Sequence, residues 1–251
     1  MSHAAVTVLP SCGVWPHQQE IVWTVVVAGG SGARFGGAKQ YAMIGRRRML
    51  DIAVATAVEV AAASHGGVVV VVPAADVSSE TLRAQQATAP GARSCLLIVA
   101  GGATRSESVR AGLAAVPAEA TVVCVHDAAR PFATVALYAA VIGAVCEGAD
   151  GAIPGVPVTD TIKVVDARRH VVETPDRAAL VAVQTPQAFR AGALRLAHAD
   201  GGDGTDDAAL VERSGGTVVV VDGLADNRKI THPDDLAWAQ RVTVPNTECP
   251  T

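Results

Sequence analysis

The chain has no CxxC pair, few aromatic residues and no excess of basic charge. Its five cysteines, Cys12, Cys95, Cys124, Cys146 and Cys249, are odd in number and widely spaced. That argues against a disulfide framework and a zinc site and leaves buried thiols. Lys and Arg total 20 against 24 Asp and Glu, a formal charge of −4. A nucleic-acid binder shows a basic balance or stripe, so no nucleic-acid partner is expected and any phosphate is small and held locally. The longest strand-like apolar run, Val68 to Val72, falls far short of the roughly 18 residues of a membrane span, so no membrane partner is expected. The first twenty residues contain no Lys or Arg and no long apolar core, so they do not read as a secretory leader and the expected location is cytoplasmic. Half of the 251 residues are apolar and 18% are charged, a composition that excludes disorder for the body of the chain.

Short β-branched runs alternate with Ala-rich stretches. Strands are expected at Ile21 to Val27, Gly67 to Val72, Cys95 to Val99, Thr121 to Val125, Gly151 to Val156 and Thr217 to Val221. Helices are expected at Met49 to Ser64, Ser79 to Thr88, Ser106 to Ala115, Thr134 to Glu147, Ala191 to His198 and Asp206 to Arg213. The strands are apolar at consecutive positions, as in a mostly parallel sheet covered by helices on both faces. This is an α/β fold, and in such a sheet ligands bind beyond the carboxyl ends of the strands. From Val158 to Thr174 the alternation breaks into two strand-like runs joined by a polar turn at Asp166 to Arg169, which predicts a protruding β-hairpin arm lying on the body or on a partner. Residues 21–244 are expected to form one domain, with residues 1–20 a disordered extension and 245–251 a tail.

Directly after the first strand comes Ala28-Gly29-Gly30-Ser31-Gly32-Ala33-Arg34-Phe35-Gly36-Gly37-Ala38-Lys39, with five glycines and two cations in twelve residues. Such a loop presents backbone N–H groups and positive charge to a polyphosphate. It fits neither GxGxxG nor a P-loop, because Lys39 is followed by Gln40 and not Ser or Thr. After the fourth strand stands His126-Asp127-Ala128-Ala129-Arg130-Pro131-Phe132. A carboxylate there can hold Mg²⁺ together with phosphate oxygens, and Arg130 can meet a second anionic group. Thr104 with Glu107 fits a capping box, Thr185-Pro186 fits a turn before a helix, Thr134 suits a helix cap, and Thr205 opens a helix as its N-cap with Asp206 and Asp207 against the dipole.

Between Ile21 and about Arg241 the ordered set of motifs resembles the 2-C-methyl-D-erythritol 4-phosphate cytidylyltransferases. The matching blocks are the Gly-rich loop with Arg34 and Lys39-Gln40, Val99 to Ser108, Val125 to Phe132, Asp160 to Lys163, Thr174 to Arg177, Gln184 to Phe189, Thr205 to Ala208 and Asp226 to Thr231. The resemblance implies a Rossmann-like nucleotidyltransferase sandwich, CTP and a sugar-alcohol phosphate as substrates, Mg²⁺ as cofactor, and a homodimer interlocked through the hairpin arm. It assigns Arg34, Lys39 and Lys229 to catalysis, and Ala28, Gly29, Gly30, Gly32, Gly102 and Ser108 to the nucleotide. Asp127, Arg130, Thr161, Arg177 and Thr205 fall to the acceptor substrate, with Asp127 also beside the metal. Ala103 departs from the acidic residue common after the Gly-Gly pair. The sister ribitol 5-phosphate cytidylyltransferases share three of the blocks, and a catalytically silent nucleotide-binding homologue would share the fold, but Thr174 to Arg177 and Thr205 to Ala208 look more like the methylerythritol enzymes.

Overall fold

The computed structural model describes residues 20–30, 35, 37–87 and 95–243. The chain runs through β1 (Val22–Val27), a 3-10 turn at Lys39–Tyr41, the short hairpin β2 (Met43–Ile44) and β3 (Arg47–Arg48), α1 (Met49–Ala63), β4 (Gly67–Val72), α2 (Val77–Ala87) and β5 (Cys95–Ala100). It continues with α3 (Arg105–Ala114), β6 (Val122–Asp127), α4 (Val135–Cys146) and β7 (Gly151–Pro157). Four strands then follow without an α-helix between them, β8 (Val164–Val165), β9 (Val171–Glu173), β10 (Val181–Val183) and β11 (Gln187–Arg190). The chain closes through α5 (Ala191–His198), α6 (Asp207–Arg213), β12 (Val218–Asp222) and α7 (Pro233–Thr243).

Alternate side chains of β1, β4 and β6 enter two separate cores. Val22, Val26, Val68, Val70, Val72, Val122 and Cys124 pack under α1 and α4. Trp23, Val25, Val69, Val71, Val123 and Val125 pack under α3, α5 and α6. Both faces are therefore dry, which is why these strands carry consecutive apolar residues and lack the alternation of a half-exposed sheet. The large sheet runs β10-β7-β11-β6-β1-β4-β5, with β12 also on β7. β6, β1, β4 and β5 are mutually parallel and β12 is parallel to β7, whereas β10 and β11 run antiparallel to their neighbours.

The antiparallel insertion corrects one expectation. The Thr185–Pro186 peptide, which is cis, leads into the strand β11 and not directly into a helix. β11 is four residues long, and three of them are buried between β6 and β7. Its short length hides it from any periodicity argument. The arm forms as expected: β8 and β9 pair antiparallel, and the Asp166 carboxylate accepts hydrogen bonds from the Arg168 and His170 N–H groups across the turn.

The chain leaves β1 toward β4 and β5 on one side and returns to β6 on the other. The carboxyl ends of β1 and β6 thus flank the point where the strand order reverses, where α/β sheets hold ligands. Val27 pairs with Asp127 across that point, and Ala28 N–H and Ala128 N–H donate to Val71 O at 2.8 Å and Val27 O at 3.0 Å.

Candidate active site

The last two residues of β6 point in opposite directions. His126 is fully buried toward the α4 layer, 5.7 Å from the Tyr138 ring. Its Nε2 lies 3.1 Å from Arg130 O, which can only accept, so Nε2 carries the proton. Nδ1 then accepts from the Thr185 hydroxyl at 3.1 Å. Burial outweighs the pull of Asp127 and brings the imidazole down to about 4, so this histidine is a neutral strut.

Asp127 faces the strand-end cleft. Its Oδ1 accepts from Arg105 Nε at 3.1 Å and its Oδ2 from Lys229 Nζ at 2.6 Å. Burial pushes its carboxyl up, but the charges of Arg105 and Lys229 outweigh burial and hold it well below the usual carboxylate range. Arg105 also donates from Nη1 to Asp207 Oδ2 at 2.8 Å, and Asp207 Oδ1 meets His198 Nε2 at 3.0 Å. A hydrogen-bonded chain therefore runs from α5 and α6 through α3 to Asp127.

Two loops supply the other cations. Asn227, fully buried, donates from Nδ2 to Gln184 Oε1 at 3.2 Å and to Thr185 O at 2.9 Å. This ties the loop after β12 to the β10–β11 turn and presents Lys229. Ile230 N–H donates to Ala129 O at 2.8 Å, and Ile230 O accepts from Lys39 Nζ at 3.2 Å. Arg105 and Lys229 bond Asp127, Arg105 also bonds Asp207, and Lys39 and Arg130 bond the neighbouring Ile230 and Asn227 carbonyls, so four cations gather with two carboxylates in a chain of net charge −4. Such a cleft holds an anion locally, as a polyphosphate requires.

The glycine positions meet around Ser108. Its hydroxyl donates to Thr104 O at 3.0 Å and accepts from Gly102 N–H at 3.2 Å. A Cβ on Gly101 would sit 2.8 Å from that Oγ, and one on Gly29 would sit 3.2 Å away. Small residues are required there because the β1 and β5 loops approach the same hydroxyl. Thr104 and Glu107 form the expected capping box at the start of α3.

Of the residues singled out from the sequence, Asp127 and Lys229 bond each other, Lys39 bonds the Ile230 carbonyl next to Lys229, and Ala28, Gly29, Gly102 and Ser108 line the adjoining loops. Gly30 is exposed at the loop's start, whereas Gly32 and Arg34 lie outside the described residues, as do residues 1–19 and 244–251. The Arg130 Nη1 and Nη2 donate to Asn227 O at 2.8 Å and Val183 O at 3.1 Å, so its fork ties two loops together. Thr161 and Arg177 are exposed on the arm, with Arg177 Nη1 bonded to Thr159 O, also in the arm. Thr205 is exposed in a loop joined to α3 by the Thr104 hydroxyl and Asp203. The α6 cap is Asp206, which accepts from Ala209 N–H, and not Thr205. Arg105, Asp207, His198 and Asn227 are contributors that sequence reasoning missed. Arg105, Asp207 and Asn227 carried a signal, each lying in a matching block, whereas His198 carried none.

Among the described residues no group of three His, Cys, Asp or Glu side chains makes a metal cage. A single ionised carboxylate completed by substrate phosphates satisfies Mg²⁺, and Asp127 fits that requirement once Lys229 Nζ leaves Oδ2. No helix among the described residues is long and apolar enough to cross a membrane.

The family described as 2-C-methyl-D-erythritol 4-phosphate cytidylyltransferase, IspD, matches residues 22–244. A bifunctional IspD/IspF enzyme of Solidesulfovibrio magneticus is 43% identical over 234 residues, covering 89% of this chain and 58% of that protein. The chain thus spans about three fifths of the length of that bifunctional relative. A 2-C-methyl-D-erythritol 4-phosphate cytidylyltransferase of Streptomyces coelicolor is 43% identical over 227 residues, covering 87% of this chain and 83% of that protein. The solved 4-diphosphocytidyl-2C-methyl-D-erythritol synthase of Anaerococcus prevotii superposes with a TM-score of 0.76 at 27% identity, covering 89% of this chain and 98% of that one. A cationic cleft at the reversal point of this sheet and a match over nearly the whole described chain lead to one conclusion: the chain belongs to the 2-C-methyl-D-erythritol 4-phosphate cytidylyltransferase family.

Proposed function

We propose that residues 21–244 form one catalytic domain that transfers a cytidylyl group from CTP to the phosphate of 2-C-methyl-D-erythritol 4-phosphate. The products are 4-diphosphocytidyl-2-C-methyl-D-erythritol and pyrophosphate. The observation that carries this reading is that Arg105 and Lys229 hold the two oxygens of Asp127 at the β1/β6 switch point while Lys39 Nζ bonds the Ile230 carbonyl next to Lys229. The activity named for the Streptomyces coelicolor relative supports it.

An oxygen of the acceptor's phosphate attacks the α-phosphorus in line, and the bond from that phosphorus to the bridging oxygen of the β-phosphate breaks. The electron pair leaves with pyrophosphate, and the protein forms no covalent bond. Its contribution is position and charge. Arg34 and Lys39 neutralise the triphosphate and the charge growing at the α-phosphorus. Lys229 releases Asp127 to gather the attacking and α-phosphates, and Arg105 keeps Asp127 ionised and aimed at the acceptor's hydroxyls. Ala28, Gly29, Gly30, Gly32, Gly102 and Ser108 frame the nucleotide, while Arg130 holds the Val183 and Asn227 backbones behind the phosphate side. Mg²⁺, held by the triphosphate and Asp127, supplies further charge neutralisation when bound. The arm of a second copy brings Thr161 and Arg177 to the acceptor, whose far side meets Thr205, so the working unit is a homodimer. Its place is the cytoplasm, beside its nucleotide substrate.

Purified protein with CTP and Mg²⁺ should release pyrophosphate with methylerythritol phosphate and not with ribitol 5-phosphate or without an acceptor. Release with ribitol 5-phosphate alone moves the acceptor assignment. Silence with both acceptors removes the catalytic reading.

A further inference from the structure

Lys39 is held both through its side chain and through its backbone. On the cleft side its Nζ reaches Ile230 O at 3.2 Å. On the other side its backbone continues into the 3-10 turn Lys39–Tyr41, where Tyr41 N–H donates to Ala38 O at 3.1 Å and Ala42 N–H to Lys39 O at 2.9 Å. Tyr41 is fastened far from the cleft. Its hydroxyl donates to Asp76 Oδ2 at 2.8 Å, and the Arg48 guanidinium carbon stands over its ring at 5.2 Å from the centroid.

Arg48 is itself held by two bidentate pairs. Nε and Nη2 donate to Asp51 at 2.9 and 2.7 Å, and Nη1 and Nη2 to Glu80 at 2.7 and 2.8 Å. The Arg48 side chain is 16% exposed and that of Glu80 is 9% exposed. Planar, doubly bidentate and stacked, the group is rigid in a way that a lysine could not reproduce. It clamps the turn to α1, which carries Asp51, and to α2, which carries Glu80. A side chain required to meet a developing charge needs its backbone fixed to within a fraction of an ångström.

Taken with the proposed nucleotidyl transfer, on which it rests, the geometry points to Arg48 as a positioning residue that acts on Lys39 through the Tyr41 ring and the 3-10 turn. Arg48 touches no substrate. Its effect belongs to the orientation of Lys39, so it falls on kcat far more than on the KM for CTP.

Arg48→Ala alone would strand the buried Glu80 carboxylate and destabilise the fold. The informative variant is therefore Arg48→Met with Glu80→Gln, which removes both charges at similar volume and leaves Asp51 beside Arg83. Two readouts decide the matter. Amide hydrogen exchange at Tyr41 and Ala42 should quicken about tenfold in the double variant, with exchange in the β4 core unchanged. Turnover should fall roughly 10- to 100-fold at saturating substrates. In a Lys39→Ala background the same double substitution should lower turnover no further, because one pathway has been cut twice. Arg48→Lys, which keeps the charge and loses the fork, should fall between wild type and the double variant.

Unchanged exchange at Tyr41 and Ala42, or a full further loss in the Lys39→Ala background, overturns the assignment and leaves Arg48 as a brace for α1 and α2. If the wild-type protein turns over neither acceptor, the catalytic reading falls separately. Exchange at Tyr41 and Ala42 then decides by itself whether Arg48 anchors the Lys39 turn.

Discussion

Asp127 and His126 are adjacent in β6 and both titrate below their ordinary values, for different reasons. Each is buried, but Asp127 has two cations to hold its charge, whereas His126 has a carbonyl and a hydroxyl that suit the neutral ring. The His126 value of about 4 lies below the ordinary one of 6.5. Between those two pH values the unfolded chain binds a proton that the folded chain refuses. Stability is therefore unaffected by this group above pH 6.5 and falls as pH drops toward 4, at up to about 1.4 kcal/mol per pH unit. Urea midpoints of wild type and His126→Gln, compared from pH 7.5 to 4.5, should converge as the solution is acidified; parallel lines would place the proton elsewhere. Lys39→Ala should lower kcat by about 10²- to 10³-fold, as removal of one transition-state donor does. Its melting temperature should stay near that of wild type, because Lys39 is only half-buried and lies outside the two cores. Turnover close to wild type would remove Lys39 from the reaction.

At the level of elements, α3 matters most, because it carries Arg105 and Ser108 at its amino end and rests on β1 and β4 through Gly112. A Cβ at that glycine would stand 2.4 Å from Val25 Cγ1 and 2.9 Å from Val71 Cγ2. Alanine favours a helix interior over glycine by about 1 kcal/mol. Overpacking a closed core costs about 1–3 kcal/mol, so the clash wins. Gly112→Ala should lower the urea midpoint with an unchanged slope, and a raised midpoint would mean that the sheet yields. The parallel strands and their helices were legible because buried β-branched runs and Ala-rich stretches alternate over some two hundred residues. β10 and β11 were not legible, being three and four residues long on either side of a proline turn. α7 had a signal that went unused, with Pro233 at its first position and Asp234 and Asp235 in its first turn. In the site, Lys39, Asp127 and Lys229 could be picked out by their place after strand ends. The pairing of Asp207 with His198 could not, since a buried hydrogen bond between α5 and α6 has no local pattern. Asp207→Ala should lower stability by about 3 kcal/mol by leaving Arg105 and His198 without their shared carboxylate, measured by the same denaturation.

For the whole molecule, the arm is the part that a single chain does not explain. Ile162, Val164, Val165, Val171 and Val172 are all exposed on a two-stranded hairpin. Such a hairpin has too little pairing to stand by itself in water, and the proposed second copy would cover its apolar residues. The exposed Thr161 and Arg177 belong to the same arm region, so in a symmetric dimer each arm can complete the other copy's cleft. Arg177→Ala and Lys39→Ala should each be nearly inactive alone. In a heterodimer of the two, one cleft pairs an intact Lys39 with an intact arm, while the other lacks both. Purified heterodimers should therefore recover about half of the wild-type turnover, and a random mixture about a quarter. Recovery depends on subunit exchange, so it should appear only after refolding or prolonged co-incubation. Verified heterodimers with no recovered turnover would mean that Arg177 serves the cleft of its own chain, and the arm would then take no part in the other copy's chemistry.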